Sequence, residues 1–278
     1  MVLCLGLPLA LGTVNSAQSS PTSLGLLAQA SRWVEVGLFS GRVTYRGREQ
    51  RAARSGDRLL TGQGLATARR ATAVLEIDDN IGVVRVAEQT DLAVTQLGVL
   101  PDGARVTRFT VNRGQARVQA RPFTNPNSLL EVTTPSGVVS VRGTEYGLSV
   151  AADGKTAVAT LEGVVAATAA GQSVNVEAGF ATVIRPGEPP LAPFALDREL
   201  DLRLSHQRRG SRQLNLEGYV NPANSVLING QEIPVNRRGF FSTHLTVPAN
   251  QAFLTVIVRN PLGEERRHRL SIREVDDN

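Results

Sequence analysis

Apolar and polar residues alternate in short runs along most of the chain after Trp33. In Tyr146, Leu148 and Val150, for example, every second residue is apolar, and side chains at this spacing point to one face of a β-strand. Many of these residues are β-branched, which favours strands because such side chains fit a half-buried pleated surface. Similar runs occur at residues 34–38, 43–45, 71–77, 84–86, 91–94, 109–111, 116–118 and 156–161, and again at 200–204, 214–216, 226–228, 245–247, 253–258 and 267–272. The pattern predicts an all-β protein.

Tight turns separate the predicted strands. Asp153-Gly154 and Asn229-Gly230 are dipeptides that favour two-residue hairpin turns. Residues 78–80, with the sequence Asp-Asp-Asn, are also interpreted as a hairpin turn. Their side chains could indicate calcium, but the twelve-residue pattern of a calcium-binding loop is absent.

A glycine interrupts several of the strand patterns, notably at Gly41, Gly114 and Gly163. A glycine inside a strand usually marks a bulge or a bend. We therefore expect strands that bend to pass between sheets, in a β-roll, a short β-solenoid or a sandwich. Because the spacing of these glycines is irregular, a strict repeat array is not expected.

Prolines are concentrated between Arg185 and Pro193. At this density they favour an extended linker, because proline cannot donate to a sheet ladder. The chain of 278 residues is long enough for two domains of about 100–200 residues each. The sequence therefore predicts a first domain at residues 31–185, a proline-rich linker at 186–195 and a second domain at 196–278.

The first 30 residues form a separate signal-like segment and tail. An apolar run from Val2 to Leu11 is shorter than the about 20 residues that a membrane-spanning helix needs. Small and polar residues follow it as far as Thr22, as they do in a secretory signal; a disordered apolar tail is the alternative. Cys4, the one cysteine, lies in this run, so the predicted domains have neither a disulfide framework nor a thiol nucleophile. We expect a periplasmic or secreted protein without a membrane-spanning segment.

Charge and candidate chemistry narrow the function further. The net charge is +5, and its cations, nearly all arginine, are spread along the chain rather than gathered on one face. This distribution argues against a nucleic-acid partner. His206, His244 and His268 are the only histidines, and they have no metal-ligand spacing. The first domain has no histidine to act as the base of a serine triad.

A carboxylate pair for glycoside hydrolysis stays open on the sequence alone. The aromatic content of 4%, however, is low for a sugar-binding cleft. We predict that the protein is not an enzyme and has no catalytic residue, no metal and no cofactor.

The most distinctive stretch runs from Glu131 to Val150. It contains Thr134-Pro135-Ser136-Gly137 and Val141-Arg142-Gly143-Thr144-Glu145-Tyr146, and it is followed by the Asp153-Gly154 turn and by Leu161-Glu162-Gly163-Val164. In this order these motifs resemble the FecR domain, and the resemblance spans roughly residues 34–186. Gly137 and Tyr146 stand where many members of that family have alanine and phenylalanine.

The candidate site residues in this stretch are Arg142, Gly143, Thr144 and Tyr146. Arg142 is a charge in an apolar run, so it needs a partner or a path to water. We interpret the set as structural: Gly143 permits a bend, and Arg142 bonds backbone carbonyls or an acid such as Glu145 or Glu162. A ligand contact is the alternative.

Residues 196–278 resemble bacterial immunoglobulin-like modules, through segments such as Gly218–Pro222 and Val256–Gly263. Without a Cys-Trp-Cys pattern, an antibody-type domain is not expected.

The resemblance to the FecR domain implies an all-β domain of the cell envelope. In that family the periplasmic part senses a transducer and controls a sigma factor.

Three functions follow as hypotheses. The first is a non-enzymatic binding or scaffolding module whose partner is an envelope protein. The second is a component of cell-surface signalling that regulates a sigma factor through a partner. The third is an accessory module that binds cell-wall glycan or peptidoglycan. The sequence does not give the oligomeric state.

Overall fold

The alternating segments form β-strands throughout the part of the chain that the structure describes, so the predicted all-β class is confirmed. The structure is a computed structural model, and it describes residues 32–209, 213–248 and 251–272. The predicted signal-like segment at residues 1–30 lies outside the described residues. The strands of the described residues belong to one compact unit that begins at Arg32.

Seventeen strands form the first body, at the described residues 32–195. In chain order they are β1 (Val34–Ser40), β2 (Val43–Arg46), β3 (Gln50–Ala52), β4 (Arg58–Leu59), β5 (Gly64–Thr67), β6 (Thr72–Ile77), β7 (Gly82–Val86), β8 (Asp91–Val99), β9 (Arg105–Ala120), β10 (Leu129–Thr133), β11 (Val138–Val141), β12 (Glu145–Val150), β13 (Thr156–Glu162), β14 (Val164–Ala169), β15 (Gln172–Glu177), β16 (Phe180–Ile184) and β17 (Phe194–Ala195). A short 3₁₀ turn, Asp78–Asn80, joins β6 to β7 and confirms the predicted turn there.

These strands form two layers that share β9. Sheet A has the order β4-β1-β6-β7-β9-β12-β13-β16-β17, and sheet B has the order β3-β2-β5-β8-β9-β10-β11-β14-β15. The first half of β9 pairs with β8 and β10, and its second half pairs with β7 and β12. The bend between the two halves lies at Gly114, whose φ is +93°. The predicted passage of strands between sheets at glycine is therefore confirmed.

Two other glycines make the same change of sheet. Gly41 follows β1 of sheet A and precedes β2 of sheet B, and Gly163 stands between β13 of sheet A and β14 of sheet B. Their φ angles are +74° and +79°, a left-handed conformation that glycine adopts without the steric cost of a side chain. The chain thus passes from one sheet to the other at glycine residues.

The core between sheets A and B is aliphatic, with few aromatic rings. Its largest fully buried side chains include Tyr146, Phe109, Leu65, Leu75 and Leu130. Each such burial contributes about 1.5–3 kcal/mol relative to exposure. At one end of the sandwich Arg32 is buried and bonds both oxygens of Asp78 at 3.0 Å. Its guanidinium also donates to the carbonyl of Val106 at 2.9 Å, so this buried charge is paired and fully bonded.

Seven strands form the described part of the C-terminal module. They are β18 (Arg203–Arg209), β19 (Gln213–Tyr219), β20 (Ser225–Ile228), β21 (Gln231–Ile233), β22 (Phe240–Thr246), β23 (Phe253–Arg259) and β24 (Glu265–Ser271). Sheet C has the order β18-β19-β22 and sheet D the order β21-β20-β23-β24. Leu216 and Phe241 of sheet C share one buried core with Val226 and Val256 of sheet D. The module is therefore a two-sheet sandwich; its resemblance to immunoglobulin-like modules stays a prediction.

The proline-rich segment at residues 186–195 lies along sheet A instead of forming a free tether. The amide of Leu191 donates to the carbonyl of Val183 at 2.9 Å, and β17 pairs with β16. Only the prolines lack a backbone donor, so the residues between them still bond to the edge of the sheet. In the part of the chain that the structure describes, no helix has the length and apolar character needed to cross a membrane.

Candidate functional site

The predicted site around Gly143 is a tightly packed bend between sheets B and A. Gly143 has a φ of +125°, and a Cβ atom there would lie 2.3 Å from the Cα atom of Pro122. The adjoining backbone is bonded on both sides: Phe123 donates to the carbonyl of Arg142 at 3.2 Å, and Ala120 donates to that of Thr144 at 2.9 Å. The bend therefore requires glycine, as the strand pattern predicted.

Thr144 and Tyr146 point into the protein. Thr144 is 5% exposed and Tyr146 is fully buried. Neither hydroxyl has a hydrogen-bond partner among the described residues. Burial raises the pKa of the Tyr146 hydroxyl, because the ionised form loses its solvation. Both residues therefore contribute to the core of the domain.

The predicted role of Arg142 is wrong. Its side chain is exposed, and within the described residues it forms neither a salt bridge nor a side-chain hydrogen bond to Glu145, Glu162 or a carbonyl. Glu145 is instead bound by Arg117, with a nitrogen-to-oxygen distance of 2.6 Å. The reason is strand geometry: Arg117 lies on β9 beside Glu145, whereas Arg142 lies beyond the bend at Gly143.

Beside this bend is a shallow cleft of about 310 Å³. Its lining includes Gly143, Thr144, Glu145 and Glu162, together with Arg121. Glu145 and Glu162 are cross-strand neighbours. Glu145 is already paired with Arg117. In the described ranges, no three histidine, cysteine, aspartate or glutamate side chains are placed to hold a metal ion.

A second cleft lies between the two modules, and the contact that forms it was not predicted. Three of the four small residues in this contact, Ala157, Ala159 and Ala181, are fully buried, and the fourth, Gly147, is also buried. They lie on the outer face of sheet A, where the absence of long side chains leaves a flat surface. A Cβ atom at Gly147 would lie 2.1 Å from the carbonyl oxygen of Pro261. The C-terminal module thus packs directly on the backbone of sheet A.

Two similar turns of the C-terminal module make this contact. In one, the side-chain oxygen of Asn221 accepts from the amide of Ala223 at 3.0 Å; in the other, that of Asn260 accepts from Leu262 at 3.0 Å. This arrangement is an Asx turn, and it fixes the two residues that follow the asparagine. Ala223 and Leu262 are buried in one small apolar cluster with the alanines of sheet A.

Directional hydrogen bonds also join the two modules across this contact. The side-chain amide of Gln115 donates to the carbonyl of Asn260 at 2.7 Å. Lys155, the one lysine in the chain, is 3% exposed and donates to the carbonyl of Asn224 at 3.2 Å. Burial lowers the pKa of Lys155 to about 8, although the nearby carboxylate of Glu232 opposes the change.

An ion pair closes one side of the second cleft. Arg259 bonds Glu88 at 3.1 Å. Burial would raise the pKa of Glu88, but hydrogen bonds from the backbone of Arg70 and from Arg259 outweigh it and lower that pKa. Buried polar groups that are bonded across a contact fix its register, because a shifted arrangement would leave them unpaired.

The cleft itself has a volume of about 460 Å³ and is lined by both modules. The first body contributes Arg113 and Val150, and the C-terminal module contributes Leu227, Glu232 and Arg259. Arg113 is exposed and has no ion pair within the described residues. Glu232 also keeps an exposed side chain, while desolvation of its carboxyl raises its pKa. The cleft therefore offers a cation, a carboxyl group and an apolar wall to a ligand.

Sequence reasoning missed this cleft, although two signals were present. The glycine at 147 and the alanines at 157 and 159 occupy alternate positions of two predicted strands, and Ala181 lies in the observed strand β16, where a solvent-facing surface would carry polar side chains. The repeated Asn-Pro pair at 221–222 and 260–261 marked the two turns that meet this surface. Neither signal shows which other part of the chain it contacts, so the sequence alone could not predict that the small residues of sheet A meet the two Asn-Pro turns.

Comparison with known proteins agrees with the motif around Gly143. Residues 57–166 match the profile of the family described as FecR protein, and this range contains all four predicted site residues. The predicted resemblance is therefore confirmed for this part of the chain. None of the curated proteins with which the chain was compared matches it.

Solved structures give weaker likenesses. Two crystal structures of a candidate anti-sigma factor from Parabacteroides distasonis align with TM-scores of 0.41 and 0.40, at 13% identity, and cover 48% of this chain. The aligned part is 60% of that protein. A polysaccharide lyase aligns with a TM-score of 0.19 at 11% identity, over 86% of this chain and 39% of the lyase.

Proposed function

Given that residues 57–166 carry a FecR domain, we propose that the chain is a non-enzymatic binding module of the cell envelope. In this proposal the FecR domain and the C-terminal module act as one rigid element, and the cleft between them receives a segment of an envelope protein. The periplasmic or secreted location belongs to the proposal and is supported by the signal-like pattern of residues 1–30.

One observation carries the proposal: the two modules are joined by buried, directional bonds, so the cleft has a fixed shape. Gln115, Lys155 and Glu88 each bond a residue of the C-terminal module. A free tether between two domains would leave their surfaces to move independently. A preformed cleft lowers the entropy that a partner must lose on binding.

The lining favours a protein partner. Arg113 and Glu232 supply opposite charges, and Val150 and Leu227 supply apolar surface. Polypeptide segments carry all three complementary groups, whereas aromatic rings that stack on sugars do not line the cleft. A glycan partner remains the third hypothesis, and sedimentation with purified peptidoglycan would support it.

Photo-crosslinking in the native cell tests the proposal. A crosslinking residue at Arg113 faces the cleft, and one at Arg48, an exposed arginine on the turn between β2 and β3, is the matched control. We expect an adduct with one defined envelope protein from position 113 and not from position 48. Adducts of equal pattern from both positions, or recovery of the chain in the cytoplasmic fraction, would contradict it.

A second candidate function is cell-surface signalling, which the FecR match favours because the resemblance implies control of a sigma factor. It predicts that the partner captured at position 113 is a membrane regulator. Deletion of the chain would then change transcription from promoters that depend on one sigma factor. Unchanged transcription would contradict the signalling function and would not affect the proposal of a binding module.

A further inference from the structure

We infer that β15, one of the two outer strands of sheet B, pairs with β15 of a second copy of this chain. The inference concerns a different surface from the cleft between the modules. It rests on an open strand edge, on the residues that the edge carries and on how the edge matches itself.

The first step is the hydrogen-bond phase of β15. It pairs with β14 in the register Val165↔Val176 and Ala167↔Val174. Ala178 donates to the carbonyl of Gly163 at 3.1 Å, which continues the same set of bonded pairs. Bonded and non-bonded pairs alternate along an antiparallel ladder. The residues whose backbone groups face away from β14 are therefore Ser173, Asn175 and Glu177.

These outward groups have no backbone partner within the described residues, because β15 pairs only with β14 there. They form a row of donors and acceptors that matches an added strand. An added strand bonds its main chain to such a row.

The strand is held in place before any partner arrives. The hydroxyl of Thr160, which is fully buried in sheet A, donates to the carbonyl of Val176 at 2.9 Å. At the other end, Ala170 and Gly171 have φ angles of +47° and +73°, the geometry of a tight two-residue hairpin turn. Binding therefore costs little ordering of this edge.

The sequence of β15 does not protect the edge. Its residues, Gln-Ser-Val-Asn-Val-Glu, include no lysine, arginine or proline, which are the usual guards of an edge strand. The edge strand β24, by contrast, carries three arginines, at 266, 267 and 269, and β3 is only three residues long. A further uncharged edge strand, β22, contacts β21 at the corner of its module.

The occupant that fits is a second copy, because the edge is complementary to itself. A twofold axis at Asn175 places Ser173 of each copy opposite Glu177 of the other, and Asn175 opposite itself. All outward groups are then bonded in pairs, and the only charge of the strand lies opposite a hydroxyl group. The two Glu177 side chains stay about 13 Å apart along the strands, so they do not repel each other strongly.

The neighbouring surface agrees with this arrangement. Phe180 is 41% exposed just beyond the end of β15. The twofold pairing places the Ala170–Gly171 turn of one copy beside the end of β15 in the other copy, where the chain turns at Gly179 toward Phe180. Sheet B then continues through both copies, and one unprotected edge of each is covered.

Analytical ultracentrifugation of the full chain over a range of concentrations tests the inference. We expect a monomer–dimer equilibrium. Asn175→Pro removes the outward N–H and leaves the ladder to β14 intact, so it should weaken dimerisation at least about tenfold. Asn175→Ala keeps the N–H group and is the matched control; we expect less than about a twofold change. Circular dichroism of each variant checks that the fold is unchanged.

A charge exchange separates self-pairing from other associations. Because Asn175 faces itself across the axis, Asn175→Lys and Asn175→Glu should each weaken the dimer, and an equimolar mixture of the two should form a heterodimer. A chain that is monomeric at every concentration would overturn the inference. Dimerisation that is insensitive to Asn175→Pro, or a mixture that stays monomeric, would overturn it as well.

Discussion

The side-chain amide of Gln115 donates a 2.7 Å hydrogen bond to the backbone carbonyl of Asn260, a residue 145 positions further along the chain. Gln115 lies on β9, the strand shared by both sheets of the first body, and Asn260 begins a turn of the C-terminal module. The bond therefore links the central strand of one module to the contact loop of the other. Both residues are nearly fully buried, so the bond is protected from competing water.

Replacing Gly147 by alanine should loosen the contact between the modules. The new methyl group would lie 2.1 Å from the carbonyl oxygen of Pro261, and that oxygen belongs to backbone that cannot rotate away. We expect a cost of about 1–3 kcal/mol and faster proteolytic cleavage in the segment 186–195 under native conditions. Calorimetry and limited proteolysis measure both effects.

Gly98→Ala is the matched control, because Gly98 also lies in a strand and the nearest atom to its added methyl group is 3.7 Å away. We expect it to change stability by less than about 0.5 kcal/mol. Equal proteolytic protection in the two variants would show that the contact at Gly147 does not hold the modules together.

Glu88→Gln should weaken the contact in a way that depends on salt and pH. The carboxylate bonds Arg259, and its pKa is lowered in the folded protein. A lowered pKa means that the stabilisation is present above the pKa of the unfolded chain and is lost as the pH falls through the folded value. The parent protein should therefore lose module contact as the pH falls below 4.5, the ordinary pKa of a glutamate. In the variant the contact should be weaker at neutral pH and should depend less on pH.

Cleavage rates in the segment 186–195 by pepsin, which is active in acid and cleaves beside residues such as Leu191 and Phe194, measure this response at several pH values. Glu49→Gln, at an exposed glutamate on the turn between β2 and β3, is the control and should behave like the parent protein. An acid response that is the same in Glu88→Gln and in the parent would contradict the assigned role.

Local rules predicted the first body well. Gly41, Gly114 and Gly163 were expected to bend strands between sheets, and each stands where the chain changes sheet. Such a bend is encoded within a few residues, because a glycine and its flanking alternation are enough to specify it. The turn at residues 78–80 and the all-β class were also predictable for this reason.

The partners of individual side chains were not predictable. Arg142 was expected to bond backbone carbonyls or a nearby acid such as Glu145. Glu145 instead bonds Arg117, which lies 28 residues away in sequence on another strand. No contact was predicted for Lys155, although its side chain is buried against the C-terminal module. Such contacts depend on which sheet face meets which loop, and this is decided by the whole fold. A single sequence shows that a charge needs a partner, but not where the partner lies.

Gly143→Ala should destabilise the FecR domain more than the same change at Gly179. Both residues have positive φ angles, +125° and +83°. At Gly179 no atom lies within 4 Å of the added methyl group, so only the backbone strain of about 1–2 kcal/mol remains. At Gly143 the methyl group would also meet the Cα atom of Pro122 at 2.3 Å, and we expect a total above about 3 kcal/mol. Denaturant titration of the two variants gives the comparison; equal losses would mean that the close approach to Pro122 is readily relieved.

Lys155 should make the protein more stable as the pH rises from 8 to 10. Burial lowers the pKa of Lys155 to about 8 in the folded protein, from 10.5 in the unfolded chain. Below pH 8 the amine is charged in both states and contributes no pH dependence. Between the two values the unfolded chain holds the proton and the folded protein does not, so stability rises, with a slope that approaches about 1.4 kcal/mol per pH unit.

Lys155→Met isolates this contribution. Methionine keeps much of the buried volume and does not titrate, but it loses the hydrogen bond to Asn224. We expect the free energy of unfolding of the parent protein to rise relative to that of the variant between pH 8 and pH 10. Measurements should stop there, because the raised pKa of Tyr146 means that ionisation of tyrosine in the unfolded chain destabilises the fold at higher pH. Parallel stability curves for parent and variant would show that the amine of Lys155 stays solvated and charged in the folded protein.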